Sequence, residues 1–294
     1  MDQDKIIELL NHDLEDEHGA IIQYLVHAYA MGEGEMACEI EGIAREEMRH
    51  LDWLAETIVG LGGVPSLKRG SQRMGGKDVS EWMSNDVLLE EDAIATYVKH
   101  IEMIDEPRVK RLLKRILADE RSHRDDFKHF IEKAGREGMK DIRGDRKDDI
   151  VKTLNWGIEH EYTVILQYMF HSYMSDNQEV KKQLEDQAIN EMQHMGWLAE
   201  ELVGGGGDPV IEHTGVDQSV ITSDMLKADI KIEGEVAEAY DRAAREIQDK
   251  DISDLLIRIR DNERYHLEVF NDLLKDEEYR SRPGGPVNLP DSGV

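Results

Sequence analysis

Twelve glutamate and histidine residues occur in two copies of one pattern along the chain: Glu, Glu-x-x-His, Glu, Glu-x-x-His. Four carboxylates and two imidazoles form the ligand set of a two-metal centre inside a four-helix bundle. Within each Glu-x-x-His the i and i+3 side chains share one helix face, so both reach the same interior point. The pattern predicts one centre in each half of the chain: Glu17, Glu47, His50, Glu90, Glu120 and His123, and Glu161, Glu191, His194, Glu233, Glu263 and His266.

The spacing of these residues predicts paired antiparallel helices. Glu17 precedes Glu47 by 30 residues, and the other three lone glutamates precede their partners by the same distance. A turn-forming segment lies midway in every case, so each arm spans about 20 Å at roughly 1.5 Å per residue. The ligands are therefore expected to meet at one height, far from the turns.

Apolar stripes with 3-4 spacing place the lone glutamates in the core. Glu17 interrupts the stripe that runs from Ile7 to Ala28, and Glu161 interrupts the equivalent stripe from Val151 to Ser172. A buried carboxylate is costly unless something compensates its charge, and a metal ion does so. The alternative, a protonated glutamate hydrogen-bonded to a buried histidine, suits a single site better than eight glutamates.

Glycine- and proline-containing segments set the expected helix boundaries. We predict an all-α fold of two tandem four-helix bundles, each with a long crossover between helices 2 and 3, near residues 64–79 and 205–221. The helices are expected at 3–30, 35–60, 80–104, 107–134, 150–174, 178–203, 222–248 and 251–276. The predicted domains are 1–137 and 150–279, with a linker at 138–149 and an irregular tail at 280–294.

Composition and charge exclude several classes of protein. The net charge of −28 argues against nucleic-acid binding and gives a surface that attracts cations. The sequence contains no uninterrupted run of about 18 apolar residues, so it predicts no membrane span. The N-terminal residues lack the features of a signal peptide, so we expect a cytoplasmic protein. Cys38 is the single cysteine, which excludes an intrachain disulfide and a four-thiolate iron or zinc centre.

The two halves of the chain repeat one domain. Residues 21–29 (IIQYLVHAY) pair with 165–173 (ILQYMFHSY), and residues 47–65 pair with 191–209. The offset is 144 residues for the first two ligand positions and 143 for the last two, which a single deletion explains. We therefore expect tandem duplication of a whole domain rather than a short solenoid repeat.

Each half resembles the ferritin-like superfamily, and bacterioferritin most of all. The first half carries the resemblance in NHDLEDEHGAIIQY and EEMRHLDWLAETIVGLGGVPSL. It implies that the twelve residues hold two dimetal centres, in which the glutamates of each Glu-x-x-His bridge the ions. Carboxylate and imidazole ligands suit iron or manganese. The resemblance thus implies a ferroxidase-like enzyme that oxidises Fe(II) with dioxygen or hydrogen peroxide.

The resemblance also assigns roles next to the ligands. The residues directly before each Glu-x-x-His are expected to hydrogen-bond the ligand histidines: Glu46, Asp119, Asn190 and Asn262. An anionic partner raises histidine basicity more than an amide does, so the first centre is predicted to bind metal more tightly. In bacterioferritin a methionine after the bridging glutamate of the second helix holds haem. Met48 and Met192 occupy that position, which implies a haem if the domains pack as a pseudo-dimer, with ordinary packing as the alternative.

Four tyrosines each follow a lone ligand glutamate by seven residues, on the same helix face: Tyr24, Tyr97, Tyr168 and Tyr240. They are candidates to hydrogen-bond ligands or to carry an electron, and core packing is the alternative.

Departures from bacterioferritin bear on assembly and activity. Neither the linker nor the tail offers the fifth helix that helps to build a hollow 24-subunit shell, so we expect a homo-oligomer other than that cage. Iron storage or buffering is one alternative function, and catalase-like peroxidase activity with manganese or iron is another. Rubrerythrin-type peroxidases usually carry a four-cysteine iron domain, which one cysteine cannot supply.

Overall fold

The computed structural model describes residues 1–32, 34–134, 144 and 146–280. These residues form eight α-helices and no strand, which confirms the all-α prediction. The helices are α1 (Gln3–Met31), α2 (Glu35–Gly60), α3 (Val79–Met103), α4 (Pro107–Ala134), α5 (Asp148–Met174), α6 (Gln178–Gly204), α7 (Thr222–Glu246) and α8 (Lys250–Arg280). The chain divides into two compact units, Met1–Arg146 with Leu202–Ile211, and Lys147–Glu201 with Glu212–Val294. No helix in the described ranges combines the length and apolar character that a bilayer span requires.

Local chemistry explains where the helices of the first bundle begin and end. Asp2 caps α1 by accepting a hydrogen bond from the backbone N–H of Lys5, and Asp78 caps α3 in the same way. After α2, Gly62 adopts a φ of 77°, in the left-handed region that favours glycine. The following amide, of Gly63, donates to the carbonyl of Ile58 at 2.9 Å, which closes the end of the helix.

The first bundle buries one apolar face from each helix. α1 packs against α2 and α3, α3 packs against α4, and α2 packs against α4. The interior is filled by fully buried side chains from all four helices, including Leu10, Leu14, Ile40, Leu54, Ile58, Met83, Leu113 and Phe127. Burial of such side chains supplies the main stabilising free energy and holds the helix axes in place. The polar residues enclosed by this core are therefore held in fixed positions.

The predicted long crossover runs along α1. Backbone amides of the crossover donate to α1 at intervals of one helical turn, from Ser66 to Asn11 Oδ1 (2.7 Å) and from Gly70 to the Glu15 carbonyl (2.6 Å). A Cβ at Gly70 would lie 2.7 Å from that carbonyl oxygen, so this close approach requires glycine. The crossover thereby packs along α1.

The second bundle repeats this architecture. α5 packs against α7, and α7 packs against α8. Its crossover also follows the first helix, since the backbone N–H of Thr214 donates to Thr163 Oγ1 at 3.0 Å. One apolar cluster of this bundle comprises Val164, Tyr168, Val180, Leu184, Ala188, Leu226, Phe270 and Leu273. Both bundles thus confirm the predicted fold class, with a long connection between their second and third helices.

Several helix boundaries differ by one to four residues from the sequence-based prediction, and two of them bear on the predicted domain limits. α5 begins at Asp148, inside the predicted linker 138–149, and α8 continues to Arg280, beyond the predicted end at 276. The extension of α8 is anchored on α6, because Arg280 forms an ion pair of 2.8 Å with Glu179. Most of the predicted linker and the tail from residue 281 onward, including the places where a fifth helix was considered, lie outside the described residues.

Candidate metal centres

Six predicted ligands meet inside the first bundle. They form two overlapping groups whose carboxylate oxygens and ring nitrogens all lie within 4.8 Å of one another, and every member is buried. One group comprises Glu17, Glu47, His50 and Glu120, and the other comprises Glu47, Glu90, Glu120 and His123. The two groups share the glutamates of the Glu-x-x-His motifs, Glu47 and Glu120. This arrangement would provide two adjacent cation positions that share two carboxylates.

Glu47 contacts both histidines of the first cluster. Its Oε2 lies 2.7 Å from His50 Nδ1, and its Oε1 lies 2.9 Å from His123 Nδ1. One carboxylate therefore faces both imidazoles, one oxygen to each. The second bridging glutamate, Glu120, places Oε1 at 3.1 Å from His50 Nδ1.

The second bundle builds the same arrangement from the equivalent residues. Its groups are Glu161, Glu191, His194 and Glu263, and Glu191, Glu233, Glu263 and His266. Glu191 places Oε2 at 2.8 Å from His194 Nδ1 and Oε1 at 2.7 Å from His266 Nδ1. All twelve predicted ligands are thus gathered in two clusters.

Hydrogen bonds satisfy few of the buried polar atoms in the two clusters, whose nearest polar neighbours are mostly one another. Buried carboxylate oxygens and ring nitrogens that face the cluster centres make no hydrogen bond within the described residues: Glu17 Oε2, Glu47 Oε1, Glu90 Oε2, Glu120 Oε1 and His123 Nδ1, and Glu191 Oε1, Glu263 Oε1 and His266 Nδ1. Buried polar atoms without partners are costly, whereas metal coordination would satisfy them. The donor set is one that iron and manganese accept.

Without a bound cation, the pKa values of several side chains in the first cluster are strongly shifted from their ordinary values. Burial, followed by the charge of Glu47, raises the pKa of Glu17 to about 8. Burial and neighbouring carboxylates raise the pKa values of Glu90 and Glu120 well above their ordinary range. Burial would lower the pKa of His123, but the charge of the adjacent Glu47 carboxylate raises it to about 10. Cations must therefore displace protons from these side chains.

The far nitrogens of the histidines contact the predicted partners in the first bundle. His123 Nε2 lies 3.0 Å from Glu46 Oε2, and His50 Nε2 lies 3.3 Å from Asp119 Oδ2. Each Nδ1 therefore faces the cluster while the opposite nitrogen is held by a carboxylate. Such a partner orients the ring and raises its basicity.

The second bundle differs at these positions. Asn262 Nδ2 lies 3.0 Å from His194 Nε2, but Asn190 donates to Gln187 Oε1 at 3.1 Å instead of contacting a ligand histidine through that group. For Nδ1 of His194 to coordinate a metal, Nε2 must carry the proton, so the Asn262 amide must turn its oxygen toward the ring. The amide nitrogen of Asn190 is therefore engaged by Gln187, and its expected contact with a ligand histidine stays a prediction.

The four tyrosines all hydrogen-bond lone glutamates across the bundle. Tyr24 on α1 donates to Glu90 on α3 at 2.6 Å, and Tyr97 on α3 donates to Glu17 on α1. In the second bundle Tyr168 donates to Glu233, and Tyr240 donates to Glu161. Each phenol thus holds one carboxylate oxygen of a lone glutamate in place.

Sequence reasoning missed a buried polar triad that braces each bundle. Asp86 accepts hydrogen bonds from Gln23 (2.7 Å) and from His27 Nδ1 (2.9 Å), and the second bundle repeats this with Gln167, His171 and Asp229. The recurrence of these polar residues at the 144- and 143-residue offsets was the available indication. The triads fix α1 to α3 and α5 to α7 one turn from the clusters.

Met48 and Met192, which follow bridging glutamates, are half-buried. Their proposed role in binding haem stays a prediction.

Comparison with known proteins defines the family. The model of the ferritin-like domain matches residues 7–136 and again residues 151–279. The chain belongs to the ferritin-like family. It contains two ferritin-like domains in tandem, as the internal repeat predicts.

The relatives of this ferritin-like chain include several bacterioferritins. It is 35% identical over 127 residues to the bacterioferritin of Brucella melitensis, a match that spans 41% of this chain and 79% of that protein. The bacterioferritin of Desulfovibrio desulfuricans is 32% identical over 125 residues, which are 40% of this chain and 70% of that protein. Each match is about as long as one of the two domains.

Solved structures with similar segments also include bacterioferritins. Mycobacterium tuberculosis BfrA has 29% identity and a TM-score of 0.42, covering 46% of this chain and 87% of its own. Rhodobacter capsulatus bacterioferritin, described with a metal-free dinuclear site and haem iron, has 30% identity and a TM-score of 0.43, covering 47% and 89%.

Proposed function

We propose that this ferritin-like protein is a di-iron oxidoreductase that oxidises Fe(II) with dioxygen or hydrogen peroxide at two dimetal centres. The observation that carries the proposal is the convergence of four carboxylates and two imidazoles in each bundle, all buried. Similarity to bacterioferritins also supports the proposal, as in the 35% identity over 127 residues to the protein of Brucella melitensis.

Charge balance supports a pair of divalent ions in each bundle. Four ionised carboxylates carry the charge of two divalent cations, so the occupied site is electrically neutral inside a low-dielectric core. When bound, two adjacent iron ions supply the two electrons that reduce one hydrogen peroxide molecule, with two protons, to two waters. The protein contributes a rigid, buried cage in which Glu47 and Glu120 would each contact both ions.

The surrounding side chains support this role by fixing ligand orientation. Tyr24 and Tyr97 hold the lone glutamates, and Glu46 and Asp119 hold the histidines in the first bundle. Ligands fixed before the ions arrive need little reorganisation during the reaction.

Iron oxidation tests the proposal. Anaerobic protein is loaded with Fe(II), mixed with dioxygen or with hydrogen peroxide, and followed by absorbance of Fe(III) in a stopped-flow instrument. We expect rapid oxidation that is lost in the Glu47→Ala/Glu191→Ala double variant, which lacks one bridging carboxylate in each cluster. Equal rates in the wild type and the double variant would contradict the proposal.

Turnover and size distinguish the alternatives in the same preparation. If the centres are catalytic, the same protein should oxidise each successive portion of added Fe(II). Stoichiometric uptake without turnover, together with elution as a hollow shell of many subunits, would favour iron storage. Dismutation of hydrogen peroxide by manganese-loaded protein, without iron oxidation, would favour a catalase-like activity.

A further inference from the structure

One histidine of each cluster has a tryptophan three residues after it. Trp53 follows His50 on α2, and Trp197 follows His194 on α6. Residues i and i+3 lie on the same face of a helix, so each indole reaches the imidazole beside it. The ring centroids are 5.8 Å apart in the first bundle and 5.4 Å apart in the second, with interplanar angles of 41° and 40°. The same contact is therefore built twice.

An arginine from the fourth helix of each bundle lies over the indole. The guanidinium carbon of Arg115 on α4 is 4.0 Å from the centre of the Trp53 ring, and that of Arg258 on α8 is 3.9 Å from the centre of the Trp197 ring. A cation over the face of an indole is attracted by the negative potential of the ring. Both arginines are exposed, both tryptophans are half-buried and the histidines are buried. Exposure therefore falls from guanidinium to indole to imidazole.

The fourth helix thus holds this histidine at two points. Asp119, one turn after Arg115, lies 3.3 Å from His50 Nε2. In the second bundle Asn262 takes this place, at 3.0 Å from His194 Nε2. The polar partner changes from a carboxylate to an amide, whereas the arginine–tryptophan stack is the same in both bundles. The stack is therefore the support that the two centres share.

The orientation of the imidazole decides whether its inner nitrogen faces the cluster. His50 Nδ1 lies 2.7 Å from Glu47 and 3.1 Å from Glu120, the two glutamates that both ligand groups share. A tilt of the ring would move Nδ1 away from these carboxylates. Because the Trp53 indole lies beside the imidazole, it limits that tilt. A ligand that is held in place before an ion arrives loses less freedom on binding.

The other histidine of each cluster lacks this neighbour. Three residues after His123 and His266 the chain has Asp126 and Val269. The stack therefore acts on one of the two overlapping ligand groups in each bundle, the one that contains the histidine beside the indole.

We propose that Trp53 and Trp197, each held by its arginine, are positioning residues for one cation position of each dimetal centre. The indole keeps the imidazole of His50 or His194 in the orientation in which Nδ1 can bind a divalent ion. The other cation position of the centre does not depend on it. The inference rests on the proposed function, because these histidines are ligands only if the clusters bind metal.

A double-mutant cycle with Co(II) tests this role without any turnover. All proteins carry Glu191→Ala, so only the first centre is intact. In this background His123→Ala leaves the complete ligand group that contains His50, and His50→Ala leaves the complete group that contains His123. We expect Trp53→Leu to weaken Co(II) binding about tenfold or more in the His123→Ala protein, the usual effect of losing a group that orients a ligand. It should have no effect in the His50→Ala protein, because its influence acts through His50.

Conservative and distant substitutions serve as controls in the His123→Ala protein. Trp53→Phe keeps an aromatic ring beside His50 and should restore much of the affinity. Arg115→Gln removes the cation and should weaken Co(II) binding by about two- to fivefold, as expected for an exposed cation–π contact. Arg111→Gln changes an exposed arginine one turn earlier on α4 and should leave the affinity unchanged.

The visible absorption of Co(II) separates ligand positioning from a loss of folding. At saturating Co(II) the absorption bands of the His123→Ala protein should shift on Trp53→Leu substitution, while circular dichroism shows unchanged helix content. An unchanged affinity in the His123→Ala protein, or equal weakening in both backgrounds, would overturn the positioning role and leave the dimetal proposal standing. Absence of Co(II) binding in both backgrounds would overturn both.

Discussion

The phenol of Tyr24 donates a hydrogen bond of 2.6 Å to Oε1 of Glu90. Tyr97 donates in the opposite direction, from α3 to Glu17 on α1, so the two helices exchange one tyrosine–glutamate contact each. Either hydroxyl holds a carboxylate that would otherwise rotate within the buried cluster. The relationship connects helix packing directly to ligand geometry.

Removal of these hydroxyls should therefore weaken metal binding. We expect Tyr24→Phe and Tyr97→Phe each to lower the affinity of the first centre by about 10- to 100-fold, the usual effect of losing a group that orients a ligand. Isothermal titration calorimetry with Co(II) in the Glu191→Ala background measures this affinity. Tyr29→Phe, which changes another buried tyrosine of α1, serves as the control. An unchanged affinity in both test variants would assign these tyrosines to packing alone.

The two centres should differ in affinity. Carboxylates of Glu46 and Asp119 contact the histidines of the first centre, whereas the second has the amide of Asn262 at one histidine. The anionic partners should make the first centre the tighter one. Metal titration of Glu47→Ala and Glu191→Ala isolates the second and the first centre respectively. Equal affinities of the two surviving centres would refute this prediction.

Metal binding should release protons and become tighter as pH rises. In the absence of cations the pKa of Glu17 is raised to about 8 and that of His123 to about 10, so both groups hold protons at pH 7. Each must lose its proton to coordinate, and a higher pH makes that loss less costly. Calorimetry in buffers with different ionisation enthalpies should show net proton release at pH 7. Binding enthalpies that are independent of the buffer would contradict it.

Asp13 should destabilise the metal-free protein near neutral pH. Its pKa is raised from 3.8 to about 6 by burial, so between these values the folded state holds a proton that the unfolded state has lost. Stability therefore falls as pH rises through this window, by up to about 3 kcal/mol. In urea unfolding with a chelator present, Asp13→Asn should be more stable than the wild type at pH 7, and the difference should shrink toward pH 4. Asp125→Asn should show no such dependence.

Local periodicity explains why so much of the fold follows from the sequence. The apolar stripe around Glu17 predicts both the helix and its buried face, and the constant spacing to Glu47 predicts where two helices meet. The predicted ends fail where contacts with other helices decide them. α8 extends to Arg280 because that residue reaches Glu179 on α6, which no local pattern indicates.

The sequence prediction of the site was limited for a related reason. Repetition between the halves identifies the ligands, and it would also have identified the triad of Gln23, His27 and Asp86. A cavity of about 260 Å³ beside the first cluster is lined in part by residues that do not repeat, such as Asp13, and its shape depends on which side chains of α1 and α3 face each other. Such residues are identified by the differences between the two halves of the sequence, and not by their similarity.

Metal content per chain tests the central claim most directly. The full chain is loaded anaerobically with Fe(II), passed through a desalting column and analysed for iron and protein. We predict four retained ions in the wild type, two in Glu47→Ala, two in Glu191→Ala and none in the double variant. Retention of the same amount of iron by all four proteins would contradict the assignment of these glutamates as bridging ligands.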